Sequence, residues 1–139
     1  MRCMILVKAS KDSEAGVLPG TELLTNMSKF NEELVKAGVM LAGEGLQPSS
    51  KGKRITFTGA KPTITDGPFA ETKELVAGFW LWQVRSMEEA VEWLKRSPFG
   101  PGAEVEIRQV FEAEDFVAQM SPELKEQEER LRTQISAKK

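Results

Sequence analysis

The chain has 139 residues, with 19 lysines and arginines against 21 aspartates and glutamates, no histidine and one cysteine. This near balance of charge offers no basic excess for binding nucleic acid or an anionic membrane surface. The missing histidine excludes a histidine general base, a Ser-His-Asp triad and every zinc site that uses histidine. A single cysteine excludes an intrachain disulfide and a thiolate metal cluster. From this length and composition we expect a single folded core domain with no metal and no other cofactor.

The first half of the chain predicts a strand, a helix, a second strand and a hairpin. Apolar residues alternate over residues 3–9, as in a strand, and recur every three or four positions over residues 21–37, as in a helix. The glycine-containing segment between these two elements is typical of a loop. A second strand is expected over residues 39–46, and a hairpin joins residues 54–58 to residues 63–65.

The second half predicts a strand, a helix and a strand. The strand covers residues 76–84, and the last core strand covers residues 105–111. Between them Ser86 and Glu89 form the pattern of a capping box, which predicts the start of a helix that ends near Arg96.

The order of these elements predicts an α+β ferredoxin-like sandwich, with two helices on one face of an antiparallel sheet. We expect residues 1–112 to form this domain and residues 113–139 to form a charged helical tail. In the strand over residues 76–84, Phe79 and Leu81 face one way and Trp80 and Trp82 face the other. A strand that is apolar on both faces must be covered on both faces.

Because two helices can cover only one face, we expect a second copy of the chain to cover the other. This predicts a sheet-to-sheet homodimer with two-fold symmetry, with Trp80 and Trp82 in the core of the interface. The alternative is a monomer in which the tail helix folds back over the open face, since Leu124, Leu131 and Ile135 give it a thin apolar stripe.

A run of nine residues from Asp66 places a tight turn beside four ionisable side chains. Asp-Gly-Pro favours a turn, because glycine permits positive φ and proline fixes its own φ. Asp66 is a candidate general base or ligand anchor, and the alternative is a turn residue that bonds its own backbone. Glu71 is a candidate catalytic or ligand-binding carboxylate. Lys73 beside it is a candidate ligand-binding residue, and the alternative for both residues is a plain surface cluster of charges.

Four further residues are candidate ligand-binding groups. Glu44 lies between two glycines, which predicts a bulge at this point of the strand and suits either an exposed strand position or close approach of a ligand. Arg54 lies on a predicted strand and has the geometry to bind a carboxylate or phosphate, or it protects a sheet edge. Phe69 anchors the turn or stacks on a ligand, and Trp80 lines a cavity if it is not wholly in the core.

The run Asp66-Gly67-Pro68-Phe69, continued by Ala-Glu-Thr-Lys-Glu, resembles the signature of DGPF-domain proteins within the YCII-related superfamily. The resemblance extends over about residues 2–111 and leaves the tail outside. It implies a dimeric α+β barrel of ferredoxin-like protomers in a bacterial cytoplasmic protein. Some YCII-related relatives resemble lyases that use a His-Asp pair for dehydrochlorination, a mechanism that a chain without histidine cannot share.

Two functions follow from these residues and this resemblance. The first is a lyase or isomerase that binds a small anionic molecule in a cleft near the turn, with Asp66 as base and Arg54 orienting the substrate. The second is a non-catalytic binding or regulatory module, because the resemblance also implies a link to extracytoplasmic-function sigma factors. The first residues contain no apolar run long enough for a secretory signal or a membrane span, so we expect no membrane partner and a cytoplasmic location.

Overall fold

The computed structural model of the chain describes residues 1–137, apart from the side chain of Lys73, so Lys138 and Lys139 lie outside the described residues. Its strands and helices are β1 (Arg2–Lys8), α1 (Lys11–Glu14), α2 (Thr21–Lys36), β2 (Met40–Gly45), β3 (Lys53–Thr58), β4 (Lys61–Asp66), β5 (Val76–Gln83), α3 (Met87–Lys95), β6 (Val105–Gln109) and α4 (Pro122–Ala137). Short 3₁₀ turns cover Ser49–Lys51, Thr72–Glu74 and Ala113–Gln119. The predicted α+β class is confirmed, and so is the predicted order of the six strands and the three longer helices; α1 was not predicted.

The main sheet is antiparallel, with strand order β2-β5-β1-β6, and β3 and β4 form a separate two-stranded hairpin. Arg2 pairs with Gln83 at one end of the sheet, and Val7 pairs with Gly78 and Val105 near the other. The hairpin follows β2 and precedes β5, so it lies at the second end, which we call the hairpin end. The chain leaves β6 at the first end, which we call the tail end.

Both long core helices pack on the same face of the sheet. Cys3 and Ile5 of β1 and Trp80 and Trp82 of β5 are buried there, against Phe30 and Leu34 of α2 and Ala90 of α3. The Phe30 ring meets Trp80 and Trp82 edge to face, with centroids 5.8 and 6.4 Å apart. The prediction that Trp80 and Trp82 form a dimer interface is therefore wrong, because the register turns them toward the helices.

The opposite face of the sheet, which we call the open face, carries Met4, Leu6, Phe79 and Leu81 at its centre. Leu6 lies between Phe79 and Glu106 in the pairing register, and Met4 lies between Leu81 and Arg108. These apolar side chains are half-buried by their own neighbours. α4 does not cover them, since none of its described side chains is buried. The fold-back of the tail helix is therefore not the arrangement of this chain.

Three local features differ from the expectations. Ser10 caps α1, because its hydroxyl accepts from the Ser13 amide and the Ser13 hydroxyl accepts from the Ser10 amide. Part of the expected first loop is therefore helical. The irregularity in β2 falls between Met40 and Ala42, not at the glycines beside Glu44. Ser86 caps α3 by accepting from the Glu89 amide, but the Glu89 carboxylate accepts from the Arg85 amide.

No helix within residues 1–137 is both long enough and apolar enough to span a membrane.

Candidate functional site

The Asp-Gly-Pro-Phe turn is docked on the 49–52 segment at the hairpin end of the sheet. The Gly67 amide donates to the Gly52 carbonyl (3.0 Å), and the Phe69 amide donates to Oγ of Ser49 (3.1 Å). A Cβ at Gly67 would stand 1.7 Å from the Ser49 carbonyl oxygen. The glycine of the turn is therefore required by a close backbone approach, in a turn whose Gly67–Pro68 peptide bond is cis.

Ser49 also ties this turn to α1. Its hydroxyl donates to Oε1 of Glu14, and its amide donates to Oε2 of the same carboxylate (2.9 Å). These two hydrogen bonds hold the pKa of Glu14 below its usual range, and the bond from the Ser49 hydroxyl has the larger effect. One serine thus joins α1, the 49–52 segment and the Phe69 backbone into a single polar network.

A cleft of about 740 Å³, which we call the loop cleft, lies beside this network at the hairpin end. It opens between α1, the segment that precedes α2, and the segment that follows β2. Its apolar wall includes Val7, Leu18, Leu23, Leu46 and Ala77. Its polar lining includes Ser10, Asp12, Ser13, Gln47 and Lys51. The cleft is mainly apolar with a few convergent polar groups, which is the usual composition of a small-molecule site.

A smaller hollow of about 340 Å³ adjoins the loop cleft and includes Phe69 in its lining. Leu46 and Lys51 line both spaces, so Lys51 stands at their junction. The guanidinium carbon of Arg54 lies 4.0 Å from the centroid of the Phe69 ring, within cation–π distance. Among the described residues, no carboxylate oxygen lies within 4 Å of the Lys51 ammonium or the Arg54 guanidinium.

The structure brings together only part of the predicted site. Arg54 and Phe69 meet beside the hollow, as described. Asp66 is 75% exposed and pairs with Lys53 across the hairpin (2.5 Å), outside the lining of the loop cleft. Glu71 is exposed at the start of a 3₁₀ turn. The side chain of Lys73 lies outside the described part of the structure.

Glu44 and Trp80 lie on opposite faces of the sheet, away from the turn. Glu44 is exposed on the open face opposite Phe79. Trp80 is buried beneath α2, where its indole N–H donates to Oδ1 of Asn31 (2.9 Å). The two residues therefore do not form one site with Asp66.

Sequence reasoning missed Lys51, Glu14 and Ser49. A signal for Glu14 exists, since the Ser10-to-Ser13 spacing predicts the short helix that carries it. No local pattern places Ser49 beneath Gly67, because that contact joins two loops distant in sequence. No cluster of three or more metal-ligating side chains is present among the residues that the structure describes.

Comparison with known proteins places the chain in a family. An uncharacterized protein of Rhizobium meliloti (strain 1021) is 29% identical over 73 residues, which are 52% of this chain and 59% of that protein. A solved structure of 5-chloro-2-hydroxyhydroquinone dehydrochlorinase (TftG) from Burkholderia phenoliruptrix AC1100, in complex with 2,5-dihydroxybenzoquinone, covers 82% of this chain and 98% of its own, at 15% identity and a TM-score of 0.40. The family model of the YCII-related domain matches residues 1–114, and the chain therefore belongs to the YCII-related family.

Proposed function

We propose that this protein binds a small anionic molecule with an apolar body in the loop cleft. The observation that carries the proposal is the position of Lys51. Its side chain lines both the cleft and the adjoining hollow, with no carboxylate of the described residues within 4 Å. Lys51 is exposed at the rim of the cleft, so its ammonium group can pair with the charged end of a ligand whose apolar body lies along the wall.

The apolar wall supports the second half of the proposal. Val17, Leu18 and Leu46 are exposed along the cleft. Covering such side chains with the body of a ligand removes apolar surface from water. Glu14 and Ser49 hold the 49–52 segment, and thus Lys51, against α1. We therefore assign the Asp-Gly-Pro-Phe turn the role of supporting one wall of the site through Ser49.

A pair of fluorescent probes tests this assignment. Anilinonaphthalene sulfonate has an apolar body and an anionic group, and phenylnaphthylamine has a similar body without the charge. Lys51→Gln should weaken sulfonate binding about five- to tenfold and leave the neutral probe unchanged, since only the ion pair is lost. Lys29→Gln, at an exposed position on α2, is the matched control. Equal loss of both probes, or no loss of either, would contradict the proposal.

Catalysis by Asp66 stays a prediction. Its carboxylate is exposed and paired with Lys53, so a role as base requires a substrate that reaches beyond the loop cleft to the hairpin. Native mass spectrometry of the purified protein can identify a retained ligand. Once that ligand is known, full turnover by Asp66→Asn would exclude the base role, and binding without turnover would favour a binding module.

We also propose that the chain forms a homodimer through its open face, as a dimeric α+β barrel. The support is a row of four half-buried apolar side chains at the centre of the face, which α4 does not cover. Covering the part of each side chain that is still exposed contributes roughly 25 cal/mol per Å² of apolar surface. Phe79→Glu should dissociate the dimer in native mass spectrometry, whereas Leu24→Glu, at an exposed position on α2, should not. A wild-type monomer would refute the barrel.

The regulatory function is favoured by one observation. The tail contains a cavity of about 750 Å³ between its 3₁₀ segment and α4, with Phe111, Phe116 and Val117 exposed along it. The DGPF resemblance implies a sigma factor as the partner. Deletion of residues 116–139 should then abolish binding of that sigma factor. Unchanged capture of a purified sigma factor by the truncated chain would remove the tail from this role.

A further inference from the structure

We propose that the ligand of the loop cleft is a zwitterion with an apolar body, whose anionic end pairs with Lys51 and whose ammonium end pairs with Asp12. Amino acids that carry a large apolar substituent belong to this class. The inference rests on the proposed anion site at Lys51 and adds an opposite charge to its ligand. It is carried by two opposite charges that line one cleft without meeting each other.

The lining of the loop cleft contains one acidic and one basic side chain, Asp12 and Lys51. Both are exposed, and neither forms an ion pair with any residue that the structure describes. The charged residues that adjoin the lining in sequence do not contribute to it: Lys8, Lys11, Glu14, Glu22 and Glu44. The lining therefore has no net charge, and both of its charges are available to a ligand.

The contact between Glu14 and Ser49 holds these two charges at the same cleft. Asp12 precedes Glu14 on α1, and Lys51 follows Ser49 in the same 3₁₀ turn. Because the Glu14 carboxylate accepts from both the amide and the hydroxyl of Ser49, the two segments are joined at that point. The Lys51 ammonium and the Asp12 carboxylate are nevertheless more than 4 Å apart and do not neutralise each other. A ligand with both an ammonium and an anionic group can pair with both residues at once.

The other polar side chains of the lining do not select for charge. The hydroxyls of Ser10 and Ser13 are engaged in capping α1, because each accepts from the amide of the other residue. Gln47 is exposed and neutral, and its amide both donates and accepts. A carboxylate only accepts hydrogen bonds and an ammonium only donates them. The sign of charge at each end of the ligand is therefore selected by Asp12 and Lys51.

The apolar wall of the cleft explains why the zwitterion needs an apolar body. Leu18 and Leu46 are 83% and 49% exposed along the cleft, and a ligand body that covers them removes apolar surface from water. Ion pairs at exposed side chains contribute little affinity by themselves. The wall therefore supplies most of the affinity, and the two charges supply the selectivity among ligands with similar bodies.

Three dansyl compounds with the same apolar body test the inference at neutral pH. ε-Dansyl-lysine is zwitterionic, its Nα-acetyl derivative keeps only the carboxylate, and dansylcadaverine keeps only the ammonium. In a fluorescence titration the wild type should bind the zwitterion about three- to fivefold more tightly than either of the others. Asp12→Asn should abolish the preference over the acetylated compound, and Lys51→Gln should abolish the preference over dansylcadaverine. Glu88→Gln, at an exposed position on α3, is the matched control and should keep both preferences.

Failure of this inference is distinguishable from failure of the anion site. Zwitterion binding no tighter than that of the acetylated compound, including no binding of either, overturns the inference. Full preference for the zwitterion in Asp12→Asn also overturns it, because another group would then recognise the ammonium. The sulfonate probe needs no ammonium group, so a sulfonate affinity that still depends on Lys51 leaves the proposed function standing in both cases. If neither the sulfonate nor the zwitterion responds to Lys51→Gln, both the proposed function and this inference are wrong.

Discussion

At the scale of single residues, the signature of the turn is explained mainly by contacts within the protein. Gly67 permits the backbone to approach the Ser49 carbonyl, and the Phe69 amide is satisfied by the Ser49 hydroxyl. The Arg54 guanidinium packs over the face of the Phe69 ring. Asp66 pairs with Lys53 in the register of the hairpin. These residues shape the end of the sheet on which the loop cleft is built.

Gly67→Ala should be strongly destabilising. The added Cβ would meet the Ser49 carbonyl at 1.7 Å, and a backbone atom cannot yield as a flexible side chain can. We expect a loss of about 2–4 kcal/mol in the free energy of unfolding, measured by urea denaturation. Gly100→Ala is the matched control, since its Cβ would meet nothing within 4 Å. Equal stability of the two variants would refute the close approach.

Glu14→Gln should change how stability depends on pH. Hydrogen bonds from Ser49 lower the pKa of Glu14 in the folded state below its usual value of 4.5. The ionised carboxylate therefore stabilises the fold above about pH 4.5, and this contribution disappears as the pH falls through the lowered pKa. Urea midpoints of the wild type and Glu14→Gln should converge as the pH is lowered from 7 to 3. A constant difference would contradict the linkage.

At the scale of elements, the helices differ in what holds them. α2 and α3 bury apolar side chains against the sheet, whereas α4 buries none. α3 has nine residues and starts at a side-chain cap, because the Ser86 hydroxyl accepts from the Glu89 amide. A side-chain cap contributes most to the stability of a short helix, because the unpaired amides of the first turn are a large share of all its backbone amides.

Ser86→Ala should cost about 1 kcal/mol in the free energy of unfolding, since the Glu89 amide loses its acceptor. Thermal or urea denaturation measures the loss. Ser28→Ala, at an exposed interior position of α2, should cost nothing, because alanine is the better helix former there. The assignment of Ser86 as a cap fails if both variants behave alike.

At the scale of the whole molecule, one core lies between the two long helices and one face of the sheet. Trp80, Trp82 and Phe30 form its aromatic centre, and Cys3, Ile5 and Leu34 are fully buried around it. The other face, the hairpin and the tail remain apolar at their surfaces. The described chain therefore has one closed core layer, and apolar side chains of the hairpin and the tail are exposed to solvent.

Leu34→Ala should measure the strength of this core. Its side chain is fully buried on α2, so truncation leaves a cavity and should cost about 2–5 kcal/mol. Leu24→Ala removes the same atoms from an exposed position of the same helix and should cost well under 1 kcal/mol. Urea denaturation of both variants compares them, and similar losses would mean that α2 does not pack as described.

The sequence by itself determined the order of the strands and the three longer helices, and the α+β class, because hydrophobic periodicity is a local signal. It also singled out the run at Asp66, because glycine and proline restrict the backbone wherever they occur. It could not decide which face of β5 the helices cover, since Trp80 and Phe79 are both large and apolar. Only the register and the packing of Phe30 settle that choice.

The site divides in the same way. Arg54 and Phe69 were predicted from residue type, and the structure places them in contact. Lys51 and Ser49 carry no distinctive local pattern, and Glu14 is marked only by the capping pattern of its short helix. The contacts of Ser49 with Glu14 and with Phe69 join segments that lie 35 and 20 residues apart. Tertiary structure alone assembles the loop cleft, because a cavity is a property of the distances between chain segments and not of any one segment.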